Sequence, residues 1–189
     1  MNEIELTKIL SSLKKQSFKL EFEQYPTPPE IASRLLLIAY NNNDIKDKII
    51  ADLGAGNGIF GIGALILGAR KVYFYDIDKD SLQVCEENLK NLGLDRYEII
   101  NKGIFSITER FETALSNAPF GLQSHFSIEL FIEKLYEITN KFYLILPKNY
   151  KIDKFINQLN YIEINLRIPK IMKFHKEKFH FVKSYIAWN

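Results

Sequence analysis

From Lys48 onward, apolar and polar positions alternate between two periods. Short apolar runs at Ile49–Leu53, Val72–Tyr75, Tyr97–Ile100, Phe111–Ser116 and Phe142–Leu146 have the length and β-branched or aromatic content of buried strands. Between them lie stretches with helical spacing, at residues 59–67, 79–92, 126–139 and 150–159; in the second, Leu82, Cys85, Leu89 and Leu92 share a face. Strands separated by helices imply βαβ units with right-handed crossovers and a largely parallel sheet. The last two runs, 161–172 and 179–188, have no helix between them and are expected to pair antiparallel at one edge. Two helices come first. Ile4, Leu6, Ile9, Leu10 and Leu13 predict one over residues 3–16. Thr27 as N-cap, Pro28 at the first helical position and Glu30 as the capping-box acid predict the start of the other. Ile31, Leu35, Leu36, Ile38 and Ala39 form its buried face, and Asn41–Asn43 stop it. The expected organisation is one α/β domain over 1–189, with a helical cap at 1–45 and the sheet-bearing core at 46–189.

Composition narrows this without redirecting it. The 189 residues are 47% hydrophobic and 25% charged, as in an ordinary globular domain. No apolar run approaches the roughly 18 residues of a membrane span, and the charged start does not resemble a signal peptide. A single cysteine, Cys85, excludes an internal disulfide and a multi-cysteine zinc site, and a cytoplasmic setting is expected. His125, His175 and His180 lack metal-ligand spacing, so no metal is expected. The net charge of +2 is unevenly spread. Residues 141–189 hold ten basic and three acidic side chains, leaving 15 basic and 20 acidic in the rest. A basic end on an acidic body suits a polyanion contacting one side.

Candidate chemistry begins after the first strand, at Asp52-Leu53-Gly54-Ala55-Gly56-Asn57-Gly58. Glycines here let the backbone turn sharply and approach a ligand. Gly56-Asn57-Gly58-Ile59-Phe60-Gly61 fits the dinucleotide-binding Gly-x-Gly-x-x-Gly pattern. The Asp-x-Gly-x-Gly-x-Gly reading instead resembles motif I of the S-adenosylmethionine-dependent methyltransferases, in which an acid suits the cofactor's ammonium. Asp76, ending the second strand, fits either reading as an acceptor for ribose hydroxyls, with Ile77 placed to lie on an adenine face.

Asn117-Ala118-Pro119-Phe120 separates them. This loop resembles the (Asp/Asn/Ser)-Pro-Pro-(Tyr/Phe/Trp) motif of methyltransferases that act on the amino group of adenine or cytosine. An exocyclic amine is a poor nucleophile because its lone pair is delocalised into the ring. Two acceptors, the Asn117 carboxamide oxygen and the Ala118 carbonyl, can bind its hydrogens, draw the nitrogen toward sp³ geometry and aim its lone pair. Phe120 can stack on the base, which must be unpaired or flipped out. Ala118 departs from the usual proline but keeps the carbonyl.

Phe22–Glu30, Ala51–Gly58, Tyr75–Asp78, Asn117–Gly121 and Lys173–Lys176 occur in the order seen in the methyltransferase-like 5 family, which the chain resembles over nearly its whole length. That family comprises small archaeal and eukaryotic enzymes that form 6-methyladenosine in small-subunit ribosomal RNA. The resemblance implies a Rossmann-like, seven-stranded class I methyltransferase sheet, S-adenosyl-L-methionine as cofactor, and RNA as substrate. It places Gln24, Tyr25 and Thr27 over the methionine end of the cofactor. It also implies a partner, a small zinc-containing activator along a sheet edge, for which Tyr97–Ile100 is the candidate strand. Many relatives carry an acid after the third strand to bind the cofactor's adenine amine. Here the stretch is Asn101-Lys102-Gly103-Ile104, so adenine recognition rests on backbone groups and apolar contact at Gly103 and Ile104.

The tail from Lys170 to Phe181 interleaves cations with aromatics, a pattern suited to phosphates and unpaired bases. With the resemblance, it makes Phe174, His175, Lys176 and Lys178 the candidate RNA contacts. Three other readings remain at this level: methylation of another amine (on DNA, transfer RNA or a protein glutamine), an inactive RNA-binding scaffold, and, weakest, an NAD-dependent dehydrogenase.

Overall fold

The computed structural model describes residues 1–17, 26–117, 127–153, 156–169 and 179–189. Among the described residues seven strands form one sheet: β1 (Ile49–Leu53), β2 (Lys71–Asp76), β3 (Tyr97–Asn101), β4 (Phe111–Asn117), β5 (Thr139–Pro147), β6 (Asn160–Pro169) and β7 (Phe179–Trp188). Their order is β3-β2-β1-β4-β5-β7-β6. The first five are parallel, while β7 runs antiparallel between β5 and β6. The expected mostly parallel sheet with an antiparallel C-terminal pair is therefore present, and β3 lies at one edge as anticipated.

Six helices flank the sheet among the described residues: α1 (Glu3–Ser11), α2 (Pro29–Asn41), α3 (Ile59–Ile66), α4 (Lys79–Asn91), α5 (Ile128–Ile138) and the short α6 (Tyr150–Asp153). On one face, Leu6 and Leu10 of α1, Leu35 and Leu36 of α2, Ile62 of α3 and Leu89 of α4 pack with Ile50, Val72 and Phe74 of the strands. On the other, Phe131, Leu135 and Ile138 of α5 pack with Ala51, Leu53, Ala114 and Leu144. Burial on both faces explains why the strands read as continuous apolar runs.

Three boundaries differ from the sequence expectation. α1 stops at Ser11 rather than near residue 16. There the Ser11 and Ser12 hydroxyls donate to the carbonyls of Thr7 and Ile9, competing with the helix ladder. α2 starts one residue late: Pro28 is the cap residue, and the Ile31 and Ala32 amides donate to its carbonyl at 3.0 Å each. Thr27 is not the cap; its hydroxyl is used elsewhere. Finally, the helix expected over 150–159 is represented by α6 and a 3₁₀ turn at Ile156–Gln158. Ile152, Ile156 and Leu159 are buried as their spacing required, but spacing alone does not separate one helix from two short turns.

The chain crosses from β3 on one side of β1 to β4 on the other, so β1 and β4 flank the topological switch point. In open α/β sheets the crevice beyond the strands' carboxyl ends at that point is where ligands bind.

Candidate active site

The glycine turn leaves β1 and enters α3 with Gly54, Gly56 and Gly58 all at positive φ (70°, 56° and 86°). The Gly54 and Ala55 amides both donate to the carbonyl of Tyr75, at 2.9 and 3.0 Å, which folds the turn back onto the end of β2. The following helix has no side-chain cap from its own N-terminus. Asp52, at the end of β1, supplies one: its Oδ2 accepts from the Gly61 amide at 2.8 Å. Gly61 has to be glycine for packing, since a Cβ there would meet Cε1 of Phe74 at 2.3 Å.

Asp52 is fully buried, and its Oδ1 has no hydrogen-bond partner among the described residues. Burial pushes its carboxyl up to about 8, opposed by the Gly61 hydrogen bond and reinforced by the nearby Asp76 charge. A buried acceptor without a donor is costly in isolation and marks where a cationic donor would be stabilised.

Asp76 is better satisfied. Its Oδ2 accepts from the Gly56 amide at 2.8 Å and its Oδ1 from the Asp78 amide at 2.9 Å. It sits above the usual carboxylate range because of burial, with those two backbone hydrogen bonds pulling the other way. The carboxylate thus joins the glycine turn to the end of β2 and retains lone pairs for further donors. Ile77, the next residue, is 56% exposed despite being apolar. A Cβ on Gly103 would lie 3.5 Å from Ile77 Cγ2, so these two residues line one place. Ile104, in the 3₁₀ turn Ile104–Ser106, is half-buried against the second core cluster.

The second part of the site is the end of β4. Leu53 and Ser116 are register partners, and the Ser116 hydroxyl donates to the Leu53 carbonyl at 2.7 Å. Asn117 therefore emerges directly beside the glycine turn. Its Nδ2 donates to Thr27 Oγ1 at 3.1 Å, which orients the carboxamide. Two residues 90 positions apart in the chain meet here. Gln24, Tyr25, Ala118, Pro119 and Phe120 lie outside the described residues, as do His125 and the RNA candidates Phe174, His175, Lys176 and Lys178.

Several residues around the site were not singled out from sequence. Asn101 Nδ2 donates to the carbonyls of Asp76 and Ile77, both at 2.9 Å, fixing the loop after β2 from the neighbouring strand. Asn88 of α4 binds Lys14 and Asn57. Gln16 lies over the turn, its Nε2 only 2.8 Å from where a Gly56 Cβ would stand. The signal for Asn88 was available: an Asn one residue before Leu89 on an otherwise apolar stripe.

Comparison with known proteins identifies the family and the fold. The model of the methyltransferase small domain matches residues 28–139. The rRNA N(6)-adenosine-methyltransferase METTL5 of Danio rerio is 30% identical over 174 residues, spanning 85% of this chain and 84% of that protein. Its Drosophila melanogaster counterpart is 28% identical over 65% of this chain and 61% of its own. A crystal structure from Pyrococcus horikoshii, assigned as an RNA methyltransferase, superposes with a TM-score of 0.90 at 31% identity, covering 100% of this chain and 97% of that one. The Rossmann-like methyltransferase sheet expected from sequence is the fold found. Matched by the domain model over more than half its length and by the fish relative over most of it, the chain belongs to the small-domain methyltransferases, in the METTL5 family.

Proposed function

We propose that this protein methylates the exocyclic N6 amine of an adenosine in structured RNA, most simply small-subunit ribosomal RNA, using S-adenosyl-L-methionine. The observation that carries the reading is the adjacency of the Asp52–Gly58 turn and Asn117 across the Leu53–Ser116 pair at the switch point. Methionine-end chemistry fits the first and an amine-acceptor loop fits the second. The RNA and the adenine amine come from the activities of the METTL5 relatives.

The residues present suit the cofactor. Among the described residues Asp52 Oδ1 has no donor, as suits an acceptor for an ammonium. Among the described residues nothing lies within 4 Å of a Cβ position on Gly54, so these leave the turn open on that side. Asp76 holds lone pairs for ribose hydroxyls, and the exposed Ile77 with Gly103 offers an apolar surface for a purine. Ile104 supports that surface from the core side. Thr27, with Gln24 and Tyr25 preceding it, would close on the carboxylate end. When bound, S-adenosylmethionine supplies the electrophilic methyl carbon.

The protein's own task is to bring a weak nucleophile into line. Asn117 accepts one amine hydrogen through its carboxamide oxygen, whose direction is set by the donation of Nδ2 to Thr27. The Ala118 carbonyl accepts the other, and Phe120 stacks on the base. Phe174, His175, Lys176 and Lys178 contact the RNA strand. A small zinc-containing activator adds along the β3 edge, where Tyr97, Ile99 and Ile100 are only half-buried. No helix among the described residues is long and apolar enough to cross a membrane.

The test uses purified protein, labelled cofactor and small-subunit RNA. Product digestion should yield N6-methyladenosine, and Asn117→Ala should cut turnover by about 100-fold or more while calorimetry still detects cofactor binding. Transfer undiminished in that variant sinks the mechanism. A label recovered on another nucleoside, or on an amino acid, sinks the substrate assignment.

A further inference from the structure

We propose that Asn88, on the inner side of α4, is a positioning residue for the cofactor: it clamps the segment after α1 onto the glycine turn and holds the turn ready to bind. The inference rests on the cofactor reading above.

Asn88 is only 3% exposed, and a buried carboxamide is tolerated only where its donors and acceptor are used. All are used, and for one purpose. Its Oδ1 accepts from the Lys14 amide at 2.8 Å. Its Nδ2 donates to the Lys14 carbonyl at 3.1 Å and to the Asn57 carbonyl at 3.0 Å. The side chain thus pairs with Lys14 as a neighbouring strand would, while gripping the turn at its midpoint. Asn57 Nδ2 closes the arrangement by donating to the same Lys14 carbonyl at 3.1 Å. Outside it, Lys14 Nζ pairs with Glu87 Oε2 at 2.5 Å; both side chains are exposed, so this pair adds little.

The consequence for the turn is tethering from two sides. Asp76 takes the Gly56 amide and Asn88 takes the next carbonyl, that of Asn57. A turn with three consecutive positive-φ glycines at alternate positions has many conformations available, so fixing it before binding removes an ordering cost. The Gln16 amide, two residues beyond Lys14, lies 2.8 Å from where a Gly56 Cβ would stand. The chain on both sides of residues 18–25 is then anchored at the site, by Lys14 at one end and by the Thr27–Asn117 bond at the other.

The experiment compares full-length wild type, Asn88→Leu and Asn57→Ala. The first variant keeps the branched heavy-atom skeleton, with somewhat larger bulk, and removes three hydrogen bonds; the second removes one at a more exposed position. S-adenosylmethionine affinity is read by calorimetry, KM and kcat by steady-state transfer, and folding by thermal melts. Asn88→Leu should raise the cofactor Kd and KM about tenfold, and Asn57→Ala about threefold, with kcat and the RNA KM within about twofold of wild type. A lower melting temperature with unchanged cofactor affinity makes Asn88 merely structural and overturns the proposal. So does a fall in kcat at unchanged cofactor KM. Should Asn88→Leu not fold, an unchanged Kd in Asn57→Ala is sufficient to overturn it. Wild type that fails to bind the cofactor refutes the proposed function itself, whereas wild type and variants binding alike refute only the clamp.

Discussion

Asp52→Asn is the sharpest perturbation the site offers, because it should move stability and affinity in opposite directions. The amide is nearly isosteric, and its oxygen can keep the 2.8 Å hydrogen bond from Gly61. What changes is the other atom, now an NH₂ where a carboxylate oxygen had no partner among the described residues. In the wild type the folded-state carboxyl titrates near 8 against an unfolded value of 3.8, so between those limits the folded protein holds more protons. Stability therefore falls as pH rises from about 4 to about 8, and the loss is complete above the folded value. The substitution removes that loss, which near pH 8 can reach a few kcal/mol, less about 1–3 kcal/mol for a buried amide donor left without an acceptor. The variant should thus melt at or above the wild-type temperature at pH 8, and the advantage should vanish near pH 4. Cofactor binding should suffer. Exchanging a charge-assisted hydrogen bond to an ammonium, made directly or across one water, for a donor facing a donor costs about 1.5–3 kcal/mol, or roughly 10- to 150-fold in Kd. Calorimetry at pH 8 with melts across pH 4–9 reads both effects. An Asp52→Asn protein that binds S-adenosylmethionine as tightly as wild type refutes the ammonium assignment; one that melts well below wild type at pH 8 refutes the account of the buried carboxyl.

Gly61→Ala should destabilise by several kcal/mol, since its Cβ would fall 2.3 Å from a ring atom of the fully buried Phe74, a contact that cannot be made without moving strand or helix. Denaturant unfolding checks this, and a change under about 1 kcal/mol contradicts the close helix–strand packing. For the partner, adding a zinc-containing activator of the expected kind should slow amide exchange across Tyr97–Asn101, the edge strand. A complex that forms with exchange there unaltered places the partner elsewhere.

Most of the architecture was written in local pattern. Buried parallel strands such as Ile49–Leu53 are apolar on both faces, helices such as Lys79–Asn91 show one stripe, and both signals survive in a single sequence. The glycine turn, Asp76 and Asn117 were legible because reaction chemistry restricts the residue types at those places, and family resemblance fixed their order. Local pattern failed where a distant residue claimed a group. Thr27 looks like a helix cap, yet its hydroxyl faces Asn117, 90 residues away. The helix expected to reach residue 16 ends at Ser11, and beyond it the Asn88 carboxamide takes the amide and carbonyl of Lys14. Asp52 announces itself as an acid before glycines, but its burial, its cap on Gly61 and its raised pKa exist only once β1 is sandwiched between β2 and β4. Sequence specifies which groups are available and how each segment prefers to fold. Which of those groups meet, and how strongly water is excluded between them, depends on long-range contacts and dielectric surroundings that only the packed tertiary structure creates.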